Sequence, residues 1–421
     1  MIKKIVIASD SFKGSLTSKE VASAAAHGIR AYIQKQCNGN SLTRHNKENE
    51  TEIIGIGIAD GGEGTTDALA TSLHARMTTA QVHDPLGRPI TARYAMTDRT
   101  AIIEMSAASG LTLLSPDERN PLLTSTYGTG ELILDAYSKG CRKFMIGIGG
   151  SATNDGGTGM LEALGFRFIG KDGKEITRIC GGKLSEITAI DSSGMIPGIQ
   201  ESEFIVACDV DTPFCGPEGA AAVFGPQKGA TPEIVAELED GMQNLNRIIA
   251  ETTGIELYPV LKNMEGGQWD KEEKCLPVAG AGAAGGLGGA LHTFMGAELR
   301  SGIDMVLDTV GFDESIKGAD MIITGEGKID SQTGKGKAAA GVLSRAQKFG
   351  IPVIAIAGIV DMTPEETAAS GFAAVLATGP RPENESDLRH AMQPEVASKN
   401  ISDTVAKALE SLSPSLFREN L

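Results

Sequence analysis

The chain has 421 residues, which exceeds the size at which one hydrophobic core usually keeps growing, so two domains are expected. Hydrophobic residues make up 41% of the chain and aromatic residues only 4%, so the cores must be built from aliphatic side chains. The formal net charge of −16 argues against a nucleic acid or a membrane surface as partner, since neither would meet a basic patch.

Cysteine usage and the N-terminal segment predict a cytoplasmic location. The six cysteines are scattered without a CxxC pair, which argues against a zinc or thioredoxin motif and favours reduced thiols. The segment MIKKIVIASD has too few apolar residues for a signal sequence, and no run approaches the roughly 18 apolar residues of a membrane helix. The oligomeric state is left open by the sequence.

Short apolar runs rich in Val and Ile predict buried parallel strands. The first two are expected at 4–9 and 51–59, with a helix between them that begins at Thr17 or Ser18. Further strands are predicted at 319–324, 351–358 and 372–378, separated by helices at about 335–349 and 364–370. Five parallel strands with helical crossovers predict a small doubly wound α/β sheet.

The middle of the chain, which is richer in turns and contains amphipathic helices, predicts a second domain. FMIGIG and EFIVACD are expected to be strands, and TPEIVAELEDGMQNLNRIIAETT an amphipathic helix. We therefore expect an α/β domain of residues 66–289, inserted into an outer domain formed by 1–65 and 290–421. The active site is expected in the cleft between these two domains.

Three polar, glycine-rich segments follow predicted strands of the outer domain: DSFKGSL, DGGEGTTD and GEGKIDSQTGKGK. Ligands of open α/β sheets bind beyond the carboxyl ends of the strands, so we expect these segments to converge. Phosphoryl transfer needs backbone N–H donors and lysines for phosphates, and carboxylates for Mg²⁺. The segments offer such groups: Asp10, Ser11, Lys13, Asp60, Gly61, Gly62, Glu326, Lys328, Asp330 and Lys335.

Two more candidate segments lie in the inserted domain. The loop GGSATNDGG follows the strand FMIGIG and contains Gly150, Ser151, Asn154 and Asp155. The segment ACDVD places Asp209 after a strand as a candidate metal ligand. Of the two aspartates in this segment, Asp209 is the preferred candidate, and the second one, Asp211, is expected to be structural.

Each of these features also has a structural interpretation. Asp10 and Asp60 could be turn or N-cap residues, Lys13 a surface lysine, and GEG a left-handed turn. GGSATNDGG could be a strand-to-helix connection that Asp155 caps. No Walker A motif and no kinase-type glycine-rich loop is present. A nicotinamide dehydrogenase is also disfavoured, because no GxGxxG runs into a helix.

The motifs, taken in order, resemble the successive signatures of the type I glycerate kinases over nearly the whole chain. They are SDSFKGSL, ADGGEGT, DPLGRP, STYGTGEL, IGIGGSATNDGG, ACDVD with FGPQKGA, GAGAAGGLG, and GEGKID with QTGKGK. The resemblance implies a flavodoxin-like domain carrying an inserted α/β domain. It also implies a bacterial kinase that phosphorylates D-glycerate, most often to 2-phosphoglycerate, with ATP and Mg²⁺. Thr212 stands where the family usually has Asn, and Ala338 or Ala339 where it usually has Pro.

For such a reaction we hypothesise the following roles of the candidate residues. Asp60, Lys13, Asp330 and Asp209 form the expected catalytic set, with Asp60, Glu326 or Asp209 holding Mg²⁺ and Asp330 accepting the hydroxyl proton. The remaining candidates would bind phosphate or the glycerate carboxylate: Asp10, Ser11, Gly61, Gly62, Gly150, Ser151, Asn154, Asp155, Lys328 and Lys335. Glycerate 3-phosphorylation, a kinase of another small hydroxy acid, and a non-catalytic acid-binding protein remain open alternatives.

Overall fold

The structure is a computed structural model, and it divides the chain into two compact units. The residues it describes are 2–39, 51–62, 64–258, 277–330 and 337–416, so the predicted phosphate ligand Lys335 lies outside them. The first unit comprises Met1–Asp60, Asp67–Leu73 and Ile303–Leu421, and the second unit comprises Gly61–Thr66 and His74–Gly302. The predicted cleft between two domains stays a prediction.

The strands and helices of the described residues have the following bounds. The strands are β1 (Lys4–Ser9), β2 (Glu52–Gly57), β3 (Arg76–His83), β4 (Pro89–Met96), β5 (Thr100–Glu104), β6 (Lys143–Gly147), β7 (Arg167–Gly170), β8 (Glu175–Ile176), β9 (Ile187–Asp191), β10 (Glu203–Ala207), β11 (Glu298–Arg300), β12 (Met321–Asp330), β13 (Val353–Asp361) and β14 (Ala374–Ala377). The helices are α1 (Ser18–Gly39), α2 (Thr65–Ser72), α3 (Ser106–Ser109), α4 (Tyr127–Ser138), α5 (Thr158–Ala163), α6 (Ala220–Phe224), α7 (Pro232–Thr253), α8 (Leu287–Met295), α9 (Gly302–Thr309), α10 (Phe312–Ser315), α11 (Ala338–Gln347), α12 (Pro364–Ala369), α13 (Glu385–Ala391) and α14 (Pro394–Leu416). Across the described ranges, none of these helices is long and apolar enough to cross a membrane.

The first unit contains the five predicted strands in one parallel sheet, ordered β14-β13-β12-β1-β2. Counted within the unit this order is 2-1-3-4-5, which is the flavodoxin-like arrangement, so the predicted fold class is confirmed. One boundary was wrong: β12 does not end at 324 but continues to Asp330, which is paired with Asp361 of β13. The segment GEGKID is therefore extended strand rather than a turn, because β13 supplies a pairing partner along its whole length.

Both faces of this sheet are covered by helices. Ile5 and Ile7 of β1 share a core with α1 and α14, while Val6, which points to the other face, is also fully buried. The helices α1 and α14 approach closely at Gly28, where a Cβ atom would lie only 2.3 Å from the carbonyl oxygen of Ser402. The two-sided burial explains why β1 is an uninterrupted apolar run.

The second unit is built on a six-stranded sheet ordered β11-β10-β6-β5-β4-β3. The strands β11, β10, β6 and β5 are parallel, and β4 and β3 continue the sheet as an antiparallel hairpin. A small antiparallel sheet, β8-β7-β9, shares its core. Phe144 of β6 stacks on Phe204 of β10 at 4.7 Å between ring centroids, which fixes the centre of this core. The predicted strands at FMIGIG and EFIVACD and the predicted helix at 231–253 are confirmed as β6, β10 and α7.

The loop between β6 and α5 is held from within by a buried carboxylate. Asp155 is fully buried and accepts hydrogen bonds from the backbone N–H and hydroxyl of Thr126 at 2.7 and 2.8 Å. It also accepts from the N–H groups of Gly157 and Gly159, each at 3.2 Å, at the start of α5. The carboxylate thus joins the beginnings of α4 and α5, where N–H groups lack partners within the helix.

A buried lysine supports the same loop. Lys228 is 1% exposed, and its ammonium group donates to the carbonyl oxygen of Thr153 at 2.6 Å. Burial lowers the pKa of Lys228 to about 7, and the Asp155 carboxylate opposes that shift. Burial also raises the pKa of Asp155, against the hydrogen bonds that favour its charged form. The Asp155 carboxylate therefore offsets part of the cost of burying Lys228, whereas hydrogen bonds from Thr126, Gly157 and Gly159 offset the cost of burying Asp155.

Removing either partner should destabilise the protein strongly. We expect Asp155→Asn to lower the free energy of unfolding by about 3–5 kcal/mol, because it leaves the Lys228 charge buried without its nearby carboxylate. Lys228→Met removes the hydrogen bond to the carbonyl oxygen of Thr153 and should lower it by about 1–3 kcal/mol. The measurement is chemical unfolding of both single variants and of the double variant. The double variant should lose at least about 1 kcal/mol less than the sum of the two single losses. Simple additivity would show that the two groups are not coupled.

Candidate active site

In the first unit, three strands bring polar residues to one edge of the sheet. Ser9 at the end of β1 lies opposite Gly57 of β2 and Gly325 of β12. The residue after it, Asp10, continues this alignment, since its N–H group donates to the carbonyl oxygen of Gly325 at 2.9 Å. Asp10, the segment leading to Asp60, and the later part of β12 therefore leave the pairing of β1 at the same edge, as the sequence predicted.

Asp10 and Asp60 interact electrostatically at this edge. Burial and the neighbouring Asp60 carboxylate together raise the pKa of Asp10 to about 7, against the opposing effects of the Ser11 hydrogen bonds and the Lys13 charge. The N–H group of Ser11 donates to Asp10 Oδ1 at 2.6 Å. Two carboxylates that repel each other form a place where a cation would be stabilised.

These residues fit a hydrated cation rather than a closed metal cage. Within the described ranges, no three His, Cys, Asp or Glu side chains are grouped so that they could hold a metal ion. Mg²⁺ usually keeps several waters and takes one or two carboxylates together with phosphate oxygens of its substrate. Asp10 and Asp60 could supply those carboxylates.

The loop that carries Lys13 is a compact turn between β1 and α1. Phe12 and Leu16 form an isolated bridge, and the N–H group of Phe12 donates to the carbonyl oxygen of Leu16 at 2.8 Å. Both side chains are buried, whereas Lys13 is exposed, and Gly14 adopts a φ of +75° that favours glycine. The buried pair thus anchors the loop, and Lys13 stands at its tip.

The spacing E-x-K-x-D places Glu326, Lys328 and Asp330 on one face of β12, because side chains alternate along a strand. Glu326 is 9% exposed, whereas Lys328 is half exposed and lies 3.5 Å from Asp330 and 3.3 Å from Asp361. Lys337 lies 3.5 Å from Asp330 as well. Asp330 is thus flanked by two ammonium groups, and Lys328 already has carboxylate partners.

The second unit has its own edge of converging strand ends. Gly147 at the end of β6 lies opposite Glu104 of β5 and Ala207 of β10. The first residues of this unit touch the same place, since a Cβ atom at Gly147 would lie 2.6 Å from the carbonyl oxygen of Gly61. A Cβ atom at Gly149 would likewise lie 3.5 Å from the Cα of Gly62. The structure therefore brings Gly61 and Gly62 against the start of the glycine-rich loop.

This loop has an exposed beginning and a buried end. Gly149 and Gly150 are exposed, and Gly150 has a φ of +74°. Ser151 is 8% exposed and pairs with Gly110 as an isolated bridge. Asn154 is completely buried, and neither its carboxamide oxygen nor its nitrogen has a hydrogen-bond partner among the described residues. Such an unsatisfied amide is costly unless something else completes it.

Asp155 accepts hydrogen bonds at the start of α5, as expected if GGSATNDGG is a strand-to-helix connection. Its carboxylate oxygens accept hydrogen bonds from groups inside the protein, including the N–H of Gly159 in the first turn of that helix. The exposed Gly150 and the unsatisfied Asn154 are the parts of this loop whose groups best suit a ligand. The binding roles of all these loop residues stay predictions.

Asp209 follows β10 as predicted and is exposed. Its Oδ1 atom accepts hydrogen bonds from the N–H of Gly302 at 2.8 Å and from the hydroxyl of Ser301 at 3.0 Å. These bonds fix the position of the carboxylate. Asp211 is also exposed.

Sequence reasoning missed one charged residue at these sites, Glu104, and did not predict the burial of another, Lys228. Glu104 ends β5, in register with Gly147, and accepts a hydrogen bond from the N–H of Thr66 at 2.7 Å. Glu104 could have been recognised in the sequence TAIIE, because an apolar strand there ends in an acidic residue. Lys228 gave no such signal, because a lysine in a polar segment is most often exposed.

Comparison with known proteins assigns the family. The glycerate kinase family matches residues 5–413. A glycerate kinase from Halalkalibacterium halodurans is 42% identical over 379 residues, covering 90% of this chain and 91% of that protein. A glycerate 2-kinase from Escherichia coli K12 is 40% identical over 357 residues, covering 84% and 85%.

The fold gives the same result. The crystal structure of a protein assigned as glycerate kinase 2 from Salmonella typhimurium LT2 superimposes with a TM-score of 0.80 at 38% identity. The match covers 98% of this chain and 99% of that one. Because the family matches almost every residue and relatives are about 40% identical, this chain belongs to the glycerate kinase family and is a kinase.

Proposed function

We propose that the protein transfers the γ-phosphoryl group of ATP to D-glycerate and yields 2-phosphoglycerate. The observation that carries the proposal is the grouping of Asp10, Asp60 and Lys13 at one strand edge of a glycerate kinase family member. The name of the Escherichia coli relative, a glycerate 2-kinase, supports the choice of hydroxyl.

The proposed mechanism relies on positioning and charge, because phosphoryl transfer requires little covalent chemistry from the protein. Bound Mg²⁺ would neutralise phosphate charge, and Asp60, Glu326 or Asp209 would hold it, with Asp10 as a further candidate. Lys13 stands exposed at a loop tip, where it can reach phosphate oxygens. Asp330 is the proposed proton acceptor for the glycerate hydroxyl, and Lys328 and Lys337 offset its charge.

The glycine-rich loop of the second unit would bind the acid. Gly150 offers an exposed backbone, and Asn154 carries a carboxamide that no described residue satisfies. A carboxylate or phosphate oxygen close to Asn154 could accept a hydrogen bond from its amide nitrogen. Gly61 and Gly62 adjoin this loop and could contribute further N–H groups.

The first test is product identification by ³¹P NMR. Purified protein incubated with Mg·ATP and D-glycerate should give a phosphate ester whose proton coupling is that of a phosphate on C2. A C3 ester would preserve the kinase and overturn the regiochemistry. No glycerate-dependent ester would overturn the proposed substrate and direct attention to other small hydroxy acids.

Removal of the Lys13 ammonium group should show whether it stabilises charge in the transition state. We expect Lys13→Ala to lower kcat/KM for phosphorylation by about 10²–10³-fold, as for other removals of a group that stabilises transition-state charge. Steady-state kinetics measures the loss, and Lys19→Ala, at an exposed lysine in the same part of the chain, is the matched control. A rise in KM without a fall in kcat would show that Lys13 contributes to substrate binding only, and absence of turnover in the wild type would favour the non-catalytic alternative.

Asp10 should make stability depend on pH when Mg²⁺ is absent. Because its folded-state pKa is raised from 3.8 to about 7, the folded chain holds a proton that the unfolded chain has lost in this window. The stabilising contribution of that proton is therefore lost as the pH rises through the window. Asp10→Asn removes this loss, so it should gain about 1–3 kcal/mol over the wild type between pH 5 and pH 8.

The measurement is urea unfolding at both pH values in the presence of a chelator. Asp403→Asn, at an exposed aspartate of α14, controls for the removal of one negative charge. A difference between Asp10→Asn and the wild type that does not change with pH would contradict the raised pKa.

A further inference from the structure

A cavity of about 300 Å³ lies within the first unit, at the carboxyl edge of its sheet. Its walls come from the loop after β1, from β12 and β13, from the chain after β14, and from α13 and α14. This is the edge at which doubly wound sheets bind their ligands. The volume is at the lower end of the range for small-molecule pockets.

The lining of this cavity does not suit glycerate. Phe12, Ile359, Leu388 and Met392 contribute apolar surface, and two prolines and two alanines add to it. Glycerate consists almost entirely of a carboxylate and hydroxyl groups, which would lose their hydration here without gaining enough hydrogen bonds. The cavity calls for a ligand with a large apolar surface.

One wall of the cavity is bare backbone. Gly327 and Gly358 are neighbours on β12 and β13, since a Cβ atom at Gly358 would lie 2.9 Å from the carbonyl oxygen of Gly327. Gly379 follows β14, and a Cβ atom there would lie 3.0 Å from the amide nitrogen of Asn400. Three glycines on adjacent strands thus leave this part of the wall without Cβ atoms of its own, so that a planar ring beside Phe12 and Asn400 could also contact the backbone.

A few polar groups interrupt the apolar lining. The hydroxyl oxygen of Ser15 is buried and has no hydrogen-bond partner among the described residues. Thr378, which is 7% exposed, and Asn400 also face the cavity. A heteroaromatic ring with hydrogen-bonding atoms at its edge would satisfy such groups, whereas a hydrocarbon would leave the Ser15 hydroxyl unpaired.

The lysines at the cavity indicate where the anionic part of the ligand lies. Lys13 and Lys328 both contribute to the lining, and Lys13 shares its loop with Asp10 and with the cavity residues Phe12 and Ser15. A ligand whose ring occupies the cavity would therefore carry its anionic part toward the lysines. A purine nucleotide has both parts in this order.

We propose that this cavity binds the purine ring of ATP, with the polyphosphate directed toward Lys13 and Lys328. The inference rests on the proposed function, because it supplies the nucleotide subsite of that same reaction. It names Ser15 and Ala391 as residues that set nucleotide affinity. Ala391 lies at the end of α13 and lines the cavity, so a larger side chain there would occupy the space of the ring.

The test compares nucleotide binding by a cavity-filling variant with binding by a matched control. Ala391→Phe should weaken ADP binding at least about tenfold in isothermal titration calorimetry. It should leave the affinity for inorganic tripolyphosphate, which has no base, unchanged. Ala368→Phe makes the same change at an exposed position of α12 outside the cavity, and it should bind ADP as the wild type does.

A second, milder substitution keeps the test valid if the first variant misfolds. Ser15→Ala removes a hydroxyl that forms no hydrogen bond with a described residue, so it should fold normally and bind ADP about three- to tenfold more weakly.

Photolabelling locates the ring directly. When the full chain is labelled with 2-azido-ATP, the reagent should attach to a peptide that includes residues 378–392 or 358–359. Wild-type ADP affinity in both variants, or labelling elsewhere alone, would overturn the subsite. If the wild type binds ADP and forms glycerate phosphate while the variants are unaffected, only this inference fails. Absence of ester formation by the wild type would instead count against the proposed function.

Discussion

Parallel pairing of strands is the constraint on which both candidate sites depend. A parallel pair places the carboxyl ends of its strands at the same edge, so residues that are far apart in the chain leave the sheet together. Ser9, Gly57 and Gly325 are aligned in this way in the first unit. Glu104, Gly147 and Ala207 are aligned in the second. The chain thus uses one principle twice, with acidic residues around the first edge and a glycine-rich loop at the second.

The sites are assembled from groups whose burial is unfavourable when considered singly. Asp10 is protonated more readily because it is buried beside Asp60, and Lys228 loses its proton more readily because it is buried beneath the glycine-rich loop. The hydrogen bonds around Asp155 show how one such cost is offset, since four donors converge on its two oxygens. The large aliphatic cores of the two units supply the stability that tolerates these arrangements.

The sequence predicted those features that are encoded locally. The strands of the first unit were predictable because each is a short apolar run, and the polar segments after them were visible for the same reason. The end of β12 was not, because GEGKID has low strand propensity and is extended only through pairing with β13. The burial of Lys228 and the contact of Asp155 with Thr126, 29 residues earlier, depend on tertiary packing that no local pattern reports. The bare wall of glycines is likewise formed only when three strands lie side by side.

The unsatisfied carboxamide of Asn154 has a consequence for the way this chain can change. An apolar side chain of similar size at that position would remove a buried amide that lacks partners among the described residues, and the folded protein would gain stability. If the amide serves the ligand, the same change would lower activity, so stability and turnover favour different residues at this position. Laboratory evolution for heat resistance alone would therefore tend to replace Asn154, and its retention in a thermostable descendant would itself be a record of selection for catalysis.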